Sequence, residues 1–321
     1  MKIFRMWFFS KGKLMNRSAY IIVVVIAVGL ILLGCQPYSE QKAKLIDTPE
    51  RGTIRISVDE SFKPVIDEEV KVYESNHPGT KIIVDYKPEA ECLKDLLVDS
   101  IRMIIATRSF SEAEKNFIVD SMKLSPQRMI VARDAVAVIV NPLAEDSLFT
   151  MGEIREILMG KFGKKLIPVF DGVKATSTVR FIVDSVLKND SLSPNAMAAR
   201  SSEGVIDYVA ENPQAIGFIG VSWIGNKHDS VQLSFLKKVK LAHLESTNMP
   251  DKYVMPVLAN IALRRYPMVR DLVYILKEKH VGLGKGFADF MTGDRGQLIF
   301  EKAFLMPAQK DFRIRPARLR E

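Results

Sequence analysis

Three loops of this sequence place hydroxyl side chains where an apolar run gives way to a helical pattern. They contain Ser61 and Phe62 in the first loop, Thr107, Arg108 and Ser109 in the second, and Thr176, Ser177 and Thr178 in the third. Hydroxyls and the free N–H groups of a new helix bind anions, because the positive end of the helix dipole favours negative charge there. A guanidinium such as that of Arg108 binds a tetrahedral oxyanion through two parallel hydrogen bonds. The loops together predict an oxyanion pocket.

Each loop also has a simpler interpretation. Thr and Ser are common capping residues of a helix, so the stretch from Thr176 to Thr178 is consistent with capping alone. Arg108 is equally suited to a surface ion pair with Glu112 or Glu114. Only the arrangement of all three loops in one place separates an anion site from three ordinary helix starts.

The elements that must position these loops follow an α/β order. Short apolar or alternating runs predict strands at residues 53–58, 81–86, 102–106, 135–140 and 215–219, and helical patterns lie between them. Strands that alternate with helices predict a mainly parallel sheet with helices on its faces, and ligands bind such sheets at the carboxyl ends of the strands. Helical spacing also predicts helices over residues 268–277 and 287–304.

The length of 321 residues suits two moderate lobes. The net charge of +8 arises at the two ends of the chain. The basic residues there are Lys2, Arg5, Lys11, Lys13 and Arg17 at the start and Lys310, Arg313, Arg315, Arg318 and Arg320 at the end. The body between them is neutral, so the sequence gives no support for nucleic-acid binding.

The N-terminal segment resembles a bacterial lipoprotein signal. A basic segment precedes the apolar run at residues 20–34, which ends in Leu-Leu-Gly before Cys35 and is short for a spanning helix. The resemblance implies a signal peptide over residues 1–35 with Cys35 lipidated, and Met15 is an alternative start. An uncleaved signal anchor is the other interpretation, and both export the chain and hold it at a membrane. The polar residues 36–50 are expected to form a flexible tether.

The residues that catalysis or metal binding requires are scarce. With Cys35 as the anchor, Cys92 is the one remaining thiol, so a disulfide framework is excluded. Cys92 lies beside leucines at helical spacing and is expected to be buried packing. The histidines are His77, His228, His243 and His280, and their spacing does not suit a metal site. The sequence therefore predicts neither an enzyme nor a cofactor or metal site.

The order of motifs resembles the periplasmic phosphate-binding component of phosphate ABC transporters, among the type II periplasmic binding proteins. The matching segments are ATRSFSEAE (residues 106–114), AVAVIVNP (135–142), MGEIREILMGKF (151–162), ATSTVRF (175–181), EGVIDYVAENPQAIGFIG (203–220) and GDRGQLIFEKAFLMP (293–307). No single segment is specific, but the series runs through nearly the whole exported body in the order of the family.

This resemblance implies two α/β lobes, each with a mostly parallel sheet flanked by helices, joined by a hinge that closes on an oxyanion. We expect the first lobe at residues 51–136 and 254–321 and the second at residues 137–253. The residues expected to bind the anion are those of the three loops: Ser61, Phe62, Thr107, Arg108, Ser109, Thr176, Ser177 and Thr178. The resemblance further implies a monomeric, lipid-anchored protein of the bacterial cell envelope that delivers phosphate or a related oxyanion to an ABC transporter permease.

Two departures from the family pattern leave a second function open. KPEAE at residues 87–91 stands where many members have a Gly- and Ser-rich turn, and its carboxylates would repel a dianion unless they face solvent or accept its proton. The arginine that the family often has before the third loop is missing, and DGVK at residues 171–174 offers only Lys174 as a substitute charge. The alternative is a tethered sensor or interaction protein on the same scaffold that has lost or changed its ligand.

Overall fold

The structure is a computed structural model that describes residues 47–122, 125–172, 176–188, 190–226, 229–278 and 280–309. The predicted signal peptide with Cys35, most of the predicted tether, Lys174, His228 and the basic segment from Lys310 onward lie outside the described residues. Asp47, inside the stretch predicted as a tether, belongs to the folded body. Its carboxylate accepts hydrogen bonds from Arg102 Nη2 at 2.7 Å and from the N–H of Leu283 at 2.6 Å.

Strands and helices alternate along most of the described chain. The strands are β1 (Arg51–Asp59), β2 (Gly79–Lys87), β3 (Ile101–Ala106), β4 (Gln127–Val140), β5 (Leu148–Phe149), β6 (Ile167–Phe170), β7 (Met197–Ala198), β8 (Ala215–Gly220), β9 (Lys240–Leu241), β10 (His243–Ser246), β11 (Met249–Val254), β12 (Val269–Leu276) and β13 (Met306–Pro307). The helices are α1 (Lys63–Asn76), α2 (Glu89–Asp95), α3 (Glu112–Met122), α4 (Met151–Met159), α5 (Ser177–Phe181), α6 (Ser202–Glu211), α7 (Ser230–Lys238), α8 (Leu258–Ala262), α9 (Leu283–Thr292) and α10 (Asp294–Lys302). A π-helical turn, Ile182–Leu187, continues α5, and 3-10 turns lie at Glu60–Phe62 and Val221–Trp223. Among the helices of the described residues, none has the length and apolar character needed to span a membrane.

One sheet runs through both lobes in the order β2-β1-β3-β12-β4-β8-β6-β7. β1 pairs in parallel with β2 and β3, and β6 pairs in parallel with β7 and β8. β12 is antiparallel to β3 and β4, and β4 is antiparallel to β8. We define the first lobe as the part built on β1, β2, β3 and β12, and the second lobe as the part built on β6, β7 and β8.

The strand β4 passes from one lobe to the other. Its first part pairs with β12 as far as Ala135 opposite Val269, and its last part pairs with β8 from Val136 opposite Gly220. The residues of β4 from 134 to 140 are all buried, as expected of a strand covered on both faces. The sequence predicts only the apolar end of this strand, because the preceding QRMIVARD carries charges and lacks a clear alternation.

The helix predicted over residues 268–277 is wrong, because this segment is the strand β12. Its side chains Leu272, Val273, Ile275 and Leu276 are all buried, and a short apolar run does not separate a buried strand from a buried helix by period. Hydrogen bonding to β3 on one side and β4 on the other requires the extended form. The helix predicted over residues 287–304 is two helices, α9 and α10, which meet at Gly293.

Packing behind the strands fixes the loops that follow them. Val65, Ile66 and Tyr73, the helical stripe of α1, are buried in the core of the first lobe. In the second lobe Phe170 stacks on Phe218 with ring centroids 5.1 Å apart. Burial of each such side chain stabilises the fold by about 1.5–3 kcal/mol. The loops after β1 and β6 therefore start from rigid strand ends.

Candidate oxyanion site

Three strands end at the three loops that carry the predicted site residues. β1 ends at Asp59, β3 ends at Ala106, and β6 ends at Phe170, before the turn that leads into α5. The buried residues of these loops are Ser61, Phe62, Thr107, Thr176, Ser177 and Thr178, and the partly exposed ones are Arg108 and Ser109. The carboxyl ends of these strands are where α/β sheets bind their ligands.

The first loop is held by its own aspartate and by the second lobe. Asp59 Oδ1 accepts a hydrogen bond from the N–H of Ser61 at 3.0 Å, which fixes the turn after β1. The carbonyl oxygen of Ser61 accepts bonds from Ser222 Oγ at 3.1 Å and from Trp223 Nε1 at 2.9 Å. Because Ser222 and Trp223 follow β8, these bonds join the two lobes beside the site.

The third loop divides its hydroxyls between capping and a buried polar cluster. Thr176 Oγ1 accepts a hydrogen bond from the N–H of Val179 at 3.3 Å and so caps α5, as the simpler interpretation of this loop expects. Ser177 Oγ lies 3.3 Å from Ser61 Oγ of the first loop. Ser177 Oγ and Thr178 Oγ1 accept hydrogen bonds from Arg270 Nη1 at 2.9 and 3.4 Å. The loop is thus a capped helix start that also contributes to the cluster.

Arg270 of β12 is at the centre of this cluster, and the sequence does not single it out. It is directly opposite Asp134 in the pairing of β12 with β4, and its Nε donates to Asp134 Oδ2 at 2.8 Å. Its guanidinium lies 5.2 Å from the centroid of the Phe62 ring, and 2% of its side chain is exposed. Its Nη2 has no hydrogen-bond partner among the described residues. A buried guanidinium with a spare N–H group is suited to an oxyanion.

Carboxyl groups share the surroundings of this guanidinium. Asp59, Asp134 and Asp171 each have one buried oxygen without a partner among the described residues. Burial acts to lower the pKa of Arg270, but the charges of Asp134 and Asp59 outweigh it and raise that pKa. Burial raises the pKa of Asp59 to about 7, against the opposing effect of the Arg270 charge. A carboxyl group that is part protonated at neutral pH can donate a hydrogen bond to an anion or accept its proton.

The second loop binds a carboxylate of the same chain. Glu89, at the start of α2, is buried, and its Oε1 accepts hydrogen bonds from the N–H of Thr107 at 2.8 Å and from Thr107 Oγ1 at 2.6 Å. Its Oε2 accepts a bond from Arg180 Nε at 2.5 Å, and Arg180 Nη2 donates to Thr107 Oγ1 at 2.7 Å. Burial acts to raise the pKa of Glu89, but the hydrogen bond and charge of Arg180 together with the two hydrogen bonds from Thr107 outweigh it and hold that pKa below its ordinary value.

Arg108 has its guanidinium directed at a neighbouring carboxylate. Nη1 donates to Glu114 Oε2 at 2.9 Å and Nη2 to Glu114 Oε1 at 3.1 Å, while Nη1 also donates to the carbonyl of Ser109 at 3.0 Å. This is the ion pair of the simpler interpretation. A role for Arg108 and Ser109 in ligand binding stays a prediction.

Sequence reasoning missed both arginines that reach the buried loops. Arg180 lies two residues after Thr178, so a search beyond the loop itself would have found it. Arg270 lies 90 residues further along, in the segment that the sequence predicts to be a helix, and only the pairing of β12 with β4 brings it to the site. Within the described ranges, no cluster of three or more His, Cys, Asp or Glu side chains is placed to hold a metal ion.

The fold is a two-lobe α/β fold with polar loops at its strand ends, and comparison with known proteins gives the family. Residues 45–295 match the family model described as the PBP superfamily domain, so the chain belongs to this family. The chain is 23% identical over 231 residues to the phosphate-binding protein PstS of Staphylococcus saprophyticus, covering 67% of each protein.

Solved structures agree with this assignment at the level of the fold. A Clostridium perfringens protein, described as a phosphate ABC transporter substrate-binding protein with bound phosphate, matches with a TM-score of 0.66 and 19% identity, over 80% of this chain and 100% of that one. An ABC-type phosphate transport receptor of Vibrio cholerae matches with a TM-score of 0.58 and 18% identity, over 79% and 99%. The predicted resemblance to the periplasmic phosphate-binding proteins and the two-lobe fold of the type II periplasmic binding proteins are confirmed, whereas the lipoprotein form stays a prediction.

Proposed function

We propose that this protein is an extracytoplasmic solute-binding lipoprotein that captures phosphate, or a similar tetrahedral oxyanion, between its two lobes and delivers it to an ABC transporter. Its role is binding and transfer of the solute, not catalysis. The names of the relatives at 23% identity or below support this class of ligand. Anchoring through Cys35 rests on the sequence resemblance of the N-terminal segment.

The observation that carries the proposal is the environment of Arg270. Its guanidinium is buried between the lobes, donates to the hydroxyls of Ser177 and Thr178, and keeps Nη2 without a partner among the described residues. Ser61 Oγ is 3.3 Å from Ser177 Oγ, so hydroxyls of both lobes lie beside this group. An oxyanion here would meet a fixed positive charge, hydroxyl donors and the N–H groups of Ser177 and Thr178 at the start of α5, since the N–H of Val179 already donates to Thr176 Oγ1. Arg270 thus supplies the charge that the sequence lacks before the third loop.

A second candidate is the same scaffold with a lost or changed ligand, acting as a tethered sensor or interaction protein. One observation favours it: the donors of Thr107 and Arg180 are directed at Glu89 of the same chain. Binding measurements separate the two candidates.

Titration calorimetry tests the proposal on protein that has first been stripped of bound anions. We expect heat on adding phosphate, and a weaker phosphate affinity in Ser177→Ala. A hydrogen bond to a charged group contributes about 1.5–3 kcal/mol, which is about ten- to a hundredfold in affinity. Ser234→Ala is the matched control, since this hydroxyl lies on the exposed helix α7 and donates to the carbonyl of Val231. No heat with either phosphate or sulfate would overturn oxyanion capture and favour the second candidate.

A further inference from the structure

The carboxylate of Glu89 is buried and surrounded by hydrogen-bond donors, as a bound anion would be, whereas most acidic side chains lie at the surface. Glu89 is 1% exposed, and three donors, two from the loop after β3 and one from the helix α5, converge on its two carboxylate oxygens. These donors are a backbone N–H, a hydroxyl and a guanidinium, which is the set of groups that proteins use to bind oxyanions. Glu91 of the same turn is exposed, so the two acidic residues of this segment have different environments.

We propose that Glu89 is an internal anion: its carboxylate occupies the donors of Thr107 and Arg180 in place of an oxyanion of the solute and ties the two lobes together. Glu89 and Thr107 belong to the first lobe, and Arg180 belongs to the second, on α5 after β6. The hydrogen-bonded ion pair between Glu89 Oε2 and Arg180 Nε therefore crosses between the lobes. Because it concerns the donors beside the same pocket, this inference rests on the proposed function.

An internal anion changes what the pocket can bind. A phosphate cannot use the Thr107 N–H while Glu89 holds it, and the carboxylate repels a second negative charge. The donors left for solute are those around Arg270, Ser177 and Thr178. Glu89 thus sets the affinity for oxyanions, and its removal exposes a second group of donors that is already in place.

The test is chemical rescue on the full-length protein. Glu89→Ala deletes the carboxylate and leaves the donors of Thr107 and Arg180, so formate, acetate or phosphate should take its place. We expect a lower thermal unfolding midpoint for Glu89→Ala, and a rise in that midpoint with each added anion that exceeds the rise in wild type. Glu91→Ala is the matched control and should behave as wild type. Adding Arg180→Gln to Glu89→Ala should abolish the rescue, because the guanidinium is the charge that holds the anion.

A second variant covers the case in which Glu89→Ala does not fold. Glu89→Ser also lacks the carboxylate and keeps a small polar side chain at the first position of α2. Calorimetry should show phosphate binding that is about tenfold tighter or more than in wild type, as expected for the return of one charge-assisted hydrogen bond. An unchanged or weaker phosphate affinity in Glu89→Ser overturns the proposal of an internal anion, and so does the absence of an anion response in folded Glu89→Ala.

The outcomes for wild type and variants separate this inference from the proposed function. Phosphate binding by the Glu89 variants but not by wild type supports the internal anion and removes phosphate capture as the role of the natural protein. Phosphate binding by wild type that does not strengthen in the variants keeps the proposed function and overturns the internal anion. Binding by both, tighter in the variants, supports both.

Discussion

Replacing Glu69 by glutamine should remove a pH-dependent loss of stability. Glu69 lies on the buried face of α1, is 0% exposed, and has no hydrogen-bond partner for either carboxyl oxygen among the described residues. Burial raises its pKa from 4.5 to about 10, because a charged carboxylate without a partner is strongly disfavoured there. At neutral pH the folded protein therefore holds Glu69 protonated, while the unfolded chain ionises it.

The magnitude follows from the two pKa values. A group whose pKa is higher in the folded state contributes stability that is complete below the unfolded pKa and is lost as the pH rises through the folded pKa. Between pH 4.5 and about 10 the loss from Glu69 is about 1.4 kcal/mol per pH unit. Relative to pH values below 4.5, the loss is about 3 kcal/mol at pH 7. Glutamine keeps the shape of the protonated side chain and does not titrate, so its variant lacks this slope.

Urea unfolding at about pH 5 and about pH 8 measures this effect. The free energy of unfolding of Glu69→Gln minus that of wild type should rise by about 4 kcal/mol between these conditions. The subtraction cancels contributions common to both proteins, including that of Asp59. Glu68→Gln is the control: its carboxylate is more than half exposed and pairs with Lys71, so a change of less than about 1 kcal/mol is expected at each pH. A difference between Glu69→Gln and wild type that is constant with pH would refute the reasoning.

Three further substitutions or reactions test other parts of the structure. Gly217→Ala should destabilise the second lobe by about 1–3 kcal/mol in urea unfolding, because the new Cβ would lie 2.7 Å from the Ile139 side chain. A variant as stable as wild type would contradict this, because it would mean that the neighbouring side chains move aside without cost. Cys92 is fully buried, and burial raises its pKa to about 12, so mass spectrometry should find it unmodified by a thiol reagent until urea unfolds the protein; rapid modification of the folded protein would contradict this. Arg108→Ala should lower phosphate affinity less than Ser177→Ala does, since Glu114 already takes both Nη atoms of Arg108; an equal or larger loss by calorimetry would make Arg108 a ligand.

The sequence predicts the scaffold well because burial repeats at regular spacing. Strand and helix patterns locate the three hydroxyl loops at the ends of β1 and β3 and after β6, where the structure also has them. The prediction fails at β12, where apolar residues on consecutive positions satisfy a helical and an extended pattern equally. Pairing with β3 and β4 decides the matter, and such pairing is a property of the folded chain.

The charges of the site could not be predicted from local sequence, since the pairs that matter join distant residues. Arg270 meets Asp134 only through the antiparallel register of two strands, and Arg180 meets Glu89 only when the lobes are together. The two carboxylates of the KPEAE turn look equivalent in the sequence, yet Glu89 is buried and Glu91 is exposed. A pattern of residue types thus locates the loops that form the buried polar cluster, while the net charge of that cluster depends on tertiary pairing.

The balance of these charges bears on which oxyanion the proposed pocket suits. Beside Arg270 lie Asp59, Asp134 and Asp171, so a fully ionised site would carry more negative than positive charge and would repel a dianion. Burial raises the pKa of both Asp59 and Asp171, which means that the site takes up protons more readily than exposed carboxyl groups do. Hydrogen phosphate brings a proton that an ionised carboxylate accepts in a hydrogen bond, whereas sulfate at neutral pH brings none. On the proposed function, these carboxyl groups favour hydrogen phosphate over sulfate only when at least one of them stays ionised beside the ligand that Arg270 holds.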